Sequence, residues 1–182
     1  MKRMILASGS PRRKELLQML EVPFEVLVSD TKEVITKNEP AEVTKELSYQ
    51  KAMAVAEQVE EGIIIGADTV VSIDGKILGK PADTEEAREM IYKLQGKSHM
   101  VYTGVTVIAK SGDMVSASSF AEGTKVNVAP MTENEIEAYI STDEPYDKAG
   151  AYGIQGLFGK FIEGIKGDYF NVVGLPVCLV GQ

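Results

Sequence analysis

Strand-like apolar segments alternate with helix-like segments along the chain, and hairpin signals interrupt that alternation. The predicted strands are residues 3–7, 23–28, 63–73, 76–79, 100–109, 114–128 and 157–165. The predicted helices are residues 11–20, 41–60 and 84–94, with a shorter helix that begins after Thr132. Strands that alternate with helices favour a sheet covered by helices, and hairpins add antiparallel pairs to it. The pattern therefore predicts an α/β protein with a mixed, twisted sheet flanked by helices, and it leaves the strand order open.

Capping signals mark where two of these helices begin. Ser10 is suited to cap the first helix, because Pro11 then occupies the first helical position. Thr132 and Glu135 have the spacing of a capping box, in which each side chain binds the backbone of the other residue. These signals predict helix starts at residues 11 and 133.

Length and composition favour one domain over residues 1–182, with space for two lobes. The chain has 182 residues, of which 44% are hydrophobic, so it can bury a core of its own. Cys178 is the only cysteine and His99 the only histidine. An internal disulfide and a zinc site built from cysteine and histidine are therefore excluded.

Charge and hydropathy favour a cytoplasmic protein with no nucleic-acid or membrane partner. The net charge is −8, which opposes non-specific binding to nucleic acid. The apolar run near the N-terminus is too short for a signal peptide. No apolar run approaches the roughly 18 residues that a membrane-spanning helix needs.

A cationic segment, SGSPRR, lies where the first predicted strand meets the first helix. Free backbone N–H groups and the helix dipole make such a position an anion site. Two serine hydroxyls and two arginines add donors that suit phosphate oxygens, and these are Ser8, Ser10, Arg12 and Arg13. The alternative is a capped helix with surface arginines, and no P-loop motif occurs in the chain.

Two charged side chains lie in apolar surroundings. Asp68 interrupts the run IIIGADTVVSI, and burying an unpaired carboxylate is costly. We therefore expect Asp68 to be hydrogen-bonded, to bind a metal, or to face a cleft as a general base. Lys51 lies four residues after Leu47 on the apolar face of the long helix. Its ammonium group must either reach the surface or enter a polar cleft.

The local sequence says less about three other residues. Lys80 follows a hairpin, where it can contact a phosphate or simply lie at the surface. Gln155 lies in a predicted loop, residues 142–156, whose glycines let a backbone approach a ligand closely. Its amide can read a base edge, and a flexible loop is the alternative. Glu33 lies in a polar loop and carries no local signal of function.

The motifs together resemble one family over nearly the whole chain. The strings are, in order, LASGSPRRKELL, GADTVV, LGKPAD, YTGV, DKAGAYGIQG and GDYFNVVGLP. They are similar to those of the Maf proteins, nucleotide pyrophosphatases related to septum formation. The resemblance implies a mixed sheet with two lobes and a deep cleft, similar to inosine triphosphate pyrophosphatase and Ham1. It also implies a divalent metal, Mg²⁺ or Mn²⁺, and a homodimer.

The resemblance also implies roles for individual residues. Asp68 matches the proton acceptor, and Glu33 matches an acid at the metal that Asp68 also contacts. The phosphates are held by residues that match Ser8, Arg12, Arg13, Lys51 and Lys80. Substrates are sorted at positions that match Arg12, Thr69 and Gln155, and these residue types resemble the branch that acts on dTTP and UTP.

Two classes of function follow, and the resemblance leaves open whether standard or modified pyrimidine nucleotides are the substrates. In the first, the chain hydrolyses dTTP and UTP to the monophosphate and pyrophosphate by metal-assisted attack of water on the α-phosphate. In the second, it is a non-catalytic nucleotide sensor that regulates cell division. A sensor needs no carboxylate pair at the α-phosphate, so Asp68 and Glu33 favour the enzyme.

Overall fold

The computed structural model describes residues 2–182, so Met1, the first residue of the expected domain, lies outside the described residues. Within residues 2–182 the chain forms seven β-strands and six α-helices. The strands are β1 (Met4–Leu6), β2 (Glu25–Val26), β3 (Glu61–Ile73), β4 (Lys76–Leu78), β5 (Ser98–Ser111), β6 (Met114–Val128) and β7 (Ile162–Lys166). The helices are α1 (Pro11–Gln18), α2 (Pro40–Ala56), α3 (Thr84–Leu94), α4 (Glu133–Ile140), α5 (Tyr169–Val173) and α6 (Val177–Val180). Short 3-10 helical segments are Glu144–Asp147, Ala149–Ala151 and Leu157–Phe161.

The strands are hydrogen-bonded in the order β2-β1-β3-β5-β6-β7, and β4 pairs with β3 outside this order. β1 runs parallel to both of its neighbours, with Ile5 opposite Glu25 in β2 and Ile64 in β3. β4 runs antiparallel to β3, and β7 runs antiparallel to β6. A two-residue turn at Asp74-Gly75 joins β3 to β4. The mixed α/β sheet predicted from the alternation is therefore confirmed.

The chain divides into two compact units, each with its own apolar core. Within residues 2–182, the first unit consists of residues 2–69, Thr103–Glu122 and Gly174–Gln182, and the second of Val70–Tyr102 and Gly123–Val173. The core of the first unit includes Ile5, Ala52, Val55, Ile64 and Ile108. The core of the second unit includes Val71, Ile91, Leu94, Ile140, Phe158 and Phe161. The deep cleft expected from the resemblance stays a prediction.

In the first unit, α2 packs closely on β3 at Gly66. A Cβ atom at Gly66 would lie 2.5 Å from the carbonyl oxygen of Ser48 and 2.9 Å from the Cβ of Ala52. Any larger residue would push the helix away from the strand. Lys51 and Asp68 lie beside this contact in sequence, on α2 and β3.

The predicted helix starts are confirmed, whereas one predicted strand is partly wrong. Ser10 caps α1, and Thr132 with Glu135 forms the capping box of α4. Residues 157–165 were expected as a strand, but Leu157–Phe161 is 3-10 helical and β7 begins only at Ile162. None of the helices in residues 2–182 combines the length and apolarity that crossing a membrane would require.

Candidate active site

The turn between β1 and α1 positions the serines of the cationic segment. Ser10 Oγ accepts a hydrogen bond from the backbone N–H of Arg13 at 3.3 Å, so this hydroxyl serves as the helix cap. Ser8 is buried, and its Oγ accepts from the backbone N–H of Ser10 at 3.3 Å. The turn is therefore held by its own serines, and it leaves a helix N-terminus beside them.

Arg13 is held in one orientation by three partners from different parts of the first unit. Its Nε donates to the carbonyl oxygen of Gly174 at 2.8 Å. Its Nη1 donates to Oγ of Ser8 at 3.3 Å, and its Nη2 donates to Oγ1 of Thr69 at 2.9 Å. Burial lowers the pKa of Arg13, and the charge of Arg12 adds to this effect, while Asp68 opposes it. An arginine has five N–H donors, so these contacts fix the guanidinium and use only part of its capacity.

Lys51 lies between two carboxylates. Its Nζ is 2.7 Å from Oδ1 of Asp68, which is nearly buried in β3. The same Nζ is 3.6 Å from Oε1 of Glu33, whose side chain is half exposed. The ammonium group of Lys51 was expected either to reach the surface or to enter a polar cleft. The structure places it in polar surroundings, paired with both acids.

The second oxygen of Asp68 has an unusual environment. Oδ2 is buried and has no hydrogen-bond partner among the described residues. A buried carboxylate oxygen without a partner is costly, so a bound water, proton or cation would stabilise it. This oxygen is therefore the part of Asp68 whose interactions the protein leaves incomplete.

Asp68 and Glu33 supply carboxylate oxygens, the type of donor that a divalent metal such as Mg²⁺ takes. Within residues 2–182, no group of three His, Cys, Asp or Glu side chains is placed to hold a metal. Mg²⁺ commonly uses one or two carboxylates, with the remaining ligands from water and substrate phosphates. The free Oδ2 of Asp68 and the half-exposed carboxylate of Glu33 suit that arrangement.

Sequence reasoning missed two groups that orient predicted site residues. Thr69 Oγ1 shares a hydrogen bond with Oγ1 of Thr103 at 2.8 Å, in addition to its bond with Arg13. The carbonyl of Gly174 orients Arg13. Both residues lie in strings that carried the family resemblance, YTGV and GDYFNVVGLP, and this was the only signal that could have found them. Arg12 is half-buried, and its charge contributes to the lowered pKa of Arg13.

Lys80 and Gln155 lie in the second unit. Lys80 is exposed and follows β4, and Gln155 is exposed after the 3-10 segment Ala149–Ala151. The two segments that carry them are joined, because the backbone N–H of Gly150 donates to the carbonyl of Gly79 at 3.1 Å. The structure thus brings together Ser8, Ser10, Arg12, Arg13, Glu33, Lys51, Asp68 and Thr69 in one unit and carries Lys80 and Gln155 on linked segments of the other.

The glycines beside Gln155 make room for side chains of the same unit. A Cβ atom at Gly153 would lie 2.9 Å from the side chain of Lys148, and one at Gly156 would lie 2.0 Å from Oε1 of Glu144. The carboxylate of Glu144 accepts from the backbone N–H groups of Leu157 at 2.7 Å and Phe158 at 3.2 Å. The segment that carries Gln155 is therefore held by defined contacts rather than loose.

The chain is therefore an α/β protein whose candidate site combines a cationic strand-to-helix turn with a lysine that pairs with two carboxylates. A family model described as "Maf-like protein" matches residues 3–182, and the chain belongs to this family. The resemblance found in the motifs is confirmed.

Curated relatives and a solved structure agree with this assignment. A protein of Bacillus cytotoxicus named "dTTP/UTP pyrophosphatase" is 53% identical over 98% of this chain and 92% of its own length. A protein of Bacillus cereus with the same name is 49% identical over the same shares. The structure titled "The structure of the Staphylococcus aureus Ham1 protein" covers 70% of this chain and 72% of that chain, with a TM-score of 0.50 and 16% identity. The last comparison bears on the fold alone and supports the predicted Ham1-like architecture.

Proposed function

We propose that this chain hydrolyses dTTP and UTP to the nucleoside monophosphate and pyrophosphate. The observation that carries the proposal is the 53% identity, over 98% of the chain, to a protein named "dTTP/UTP pyrophosphatase". The arrangement of Lys51 between Asp68 and Glu33 supports hydrolysis rather than binding alone, because a sensor has no use for such a pair of acids.

In the proposed reaction, water attacks the α-phosphorus and the bond to the oxygen that bridges to the β-phosphate breaks. Asp68 accepts the proton of the water, while its Oδ1 is paired with Lys51. Lys51 keeps the carboxylate oriented, and cationic side chains stabilise the leaving pyrophosphate. The proposed phosphate contacts are Ser8, Ser10, Arg12, Arg13, Lys51 and Lys80.

We propose that Asp68 and Glu33 hold a divalent cation, Mg²⁺ or Mn²⁺. When bound, such an ion neutralises phosphate charge and acts as a Lewis acid. The support is the donor set: two carboxylates, one with a buried oxygen that lacks a partner among the described residues.

The proposal assigns base selection to three residues, Arg12, Thr69 and Gln155. The support is their match to the substrate-sorting positions of the family. Gln155 can accept from N3–H of uracil or thymine with its amide oxygen and donate to the adjacent carbonyl with its nitrogen. A homodimer, a cytoplasmic location and the absence of nucleic-acid and membrane partners belong to the same proposal and rest on resemblance and composition.

The test is a panel of nucleoside triphosphates with Mg²⁺ or Mn²⁺ and separate detection of phosphate and pyrophosphate. We expect UMP or dTMP and pyrophosphate, with phosphate only after an inorganic pyrophosphatase is added. The control is Asp68→Asn purified in the same way, which excludes a contaminating enzyme. Direct release of phosphate would contradict attack at the α-phosphate, and tight binding without turnover would favour the sensor.

A further inference from the structure

The segment that carries Glu33 lies between β2 and α2 and has no secondary structure of its own. Residues 30–39 are all exposed, so no buried side chain holds them in place. Glu33 nevertheless lies beside Lys51. Some contact other than apolar packing must therefore keep this acid at the site.

The first such contact comes from Gln50 on α2. Its side-chain Oε1 accepts from the backbone N–H of Val34 at 3.0 Å, and its Nε2 donates to the backbone carbonyl of Val34 at 2.7 Å. The amide thus pairs with the backbone of Val34 in the way that a neighbouring strand would. Two bonds to one residue fix both the position and the direction of the chain there.

The second contact comes from Glu46, which lies one helical turn before Gln50 on the same face of α2. Its carboxylate accepts from the backbone N–H of Thr36 at 3.0 Å and of Lys37 at 3.3 Å, and also from the hydroxyl of Thr36. These hydrogen bonds from Thr36 lower the pKa of Glu46. Both acceptors lie in the interior of α2, so neither contact serves to cap the helix.

The order of the residues connects these contacts to the site. Gln50 precedes Lys51, and Val34 follows Glu33, so the pairing of Gln50 with Val34 brings the acid to the ammonium group at 3.6 Å. We propose that Gln50 and Glu46 are positioning residues that hold Glu33 at Lys51 and Asp68. The inference rests on the proposed function for its effect on activity, but the contacts themselves can be tested without activity.

The first test is amide hydrogen exchange in the full-length protein without nucleotide. Amides held by side-chain acceptors exchange more slowly than free ones. We expect the amides of Val34, Thr36 and Lys37 to be protected in the wild type. Gln50→Ala should release Val34, and Glu46→Ala should release Thr36 and Lys37. Exchange at Val34 and Thr36 as fast in the wild type as in these variants would overturn the proposal.

The second test is a double-mutant cycle with Glu33→Gln. Outer residues that orient a metal or catalytic ligand typically change affinity or activity by 10–100-fold. We expect Gln50→Ala to lower kcat/KM and Mn²⁺ affinity, measured by electron paramagnetic resonance, by at least about tenfold. In the Glu33→Gln background the same change should cost less than about twofold, because the acid that it positions is gone. An equal loss in both backgrounds would mean that Gln50 acts elsewhere.

Matched variants keep the result interpretable. Glu42→Gln removes an acid from the same helix whose ion pair is with Lys45, and it should leave kcat/KM and the exchange of residues 34–37 unchanged. Gln50→Glu keeps an acceptor for the Val34 N–H, but it loses the donor and adds a charge facing the carbonyl of Val34, so the amide of Val34 should exchange faster than in the wild type. If the wild type lacked pyrophosphatase activity, the proposed function would fail, while the exchange and Mn²⁺ measurements would still decide whether Gln50 and Glu46 position Glu33.

Discussion

The ammonium group of Lys51 lies 2.7 Å from Oδ1 of Asp68, and Oδ2 of the same carboxylate is buried without a partner among the described residues. The two oxygens therefore lie in different environments. One is neutralised and oriented by the lysine, and the other is left for a proton, a water or a cation. Burying a carboxylate in an apolar strand is costly, and the described residues offset this cost at only one of the two oxygens of Asp68.

Replacing Asp68 by Asn should preserve the fold and abolish most turnover. The amide oxygen can still accept from Lys51, but the basic atom and the negative charge are lost. General-base catalysis is typically worth 10²–10⁴-fold, so we expect kcat to fall by about that factor. Thermal unfolding and kcat should be measured on the same sample. A variant with more than about a tenth of wild-type kcat would show that Asp68 is not the base.

Replacing Arg13 by Ala should weaken the binding of every nucleoside triphosphate to a similar extent. Charge-assisted hydrogen bonds contribute roughly 1.5–3 kcal/mol, so kcat/KM should fall at least about tenfold for UTP, dTTP and GTP. The ratio of UTP to GTP should stay constant, because all substrates share the phosphates. Since Arg13 also donates to Thr69, a changed ratio would mean that this contact takes part in base selection.

Replacing Gln155 by Glu should change base preference rather than only activity. The variant keeps the shape but loses the donor and adds a charge facing a carbonyl oxygen of uracil. An unmatched polar group costs about 1–3 kcal/mol, so kcat/KM for UTP and dTTP should fall by about tenfold to a few hundredfold. Cytosine offers an amino donor at that position, so kcat/KM for CTP should fall less than for UTP, or should rise. An unchanged UTP-to-CTP ratio would leave Gln155 with no part in reading the base.

His99 should make stability depend on pH. It is buried, its Nε2 is 2.5 Å from the hydroxyl of Tyr152, and burial lowers its pKa to about 4. The pKa of an unfolded histidine is about 6.5. Between that pH and the folded pKa of about 4, the unfolded chain therefore binds more protons than the folded chain. Stability should be fully present above about pH 6.5 and be lost as the pH falls toward 4, by about 3 kcal/mol in total.

The measurement for His99 is urea unfolding at several pH values for the wild type and His99→Phe. The acids titrate in both proteins, so the difference between the two curves isolates the histidine. The wild type should lose stability faster on acidification. Parallel curves would contradict a neutral, buried histidine.

Local features of the fold were predictable from the sequence because they depend on neighbouring residues. The caps at Ser10 and at Thr132 act within three residues, so their patterns predict the helix starts directly. The strand expected at residues 157–161 failed for a tertiary reason. Glu144 accepts from the amides of Leu157 and Phe158, and these bonds stabilise a 3-10 segment against the strand preference of its apolar residues.

The residues of the candidate site could be nominated from the sequence, since charge in an apolar strand and donors at a helix start are visible as patterns. Their partners could not. Lys51 was free to reach solvent or a cleft, and only packing of α2 on β3 brings it to Asp68. Arg13 is oriented by a carbonyl 161 positions away. The sequence by itself determined which chemical groups are present and where the elements begin, and the tertiary structure decided which groups meet, because hydrogen bonds and ion pairs act over a few ångströms of space whatever their separation along the chain.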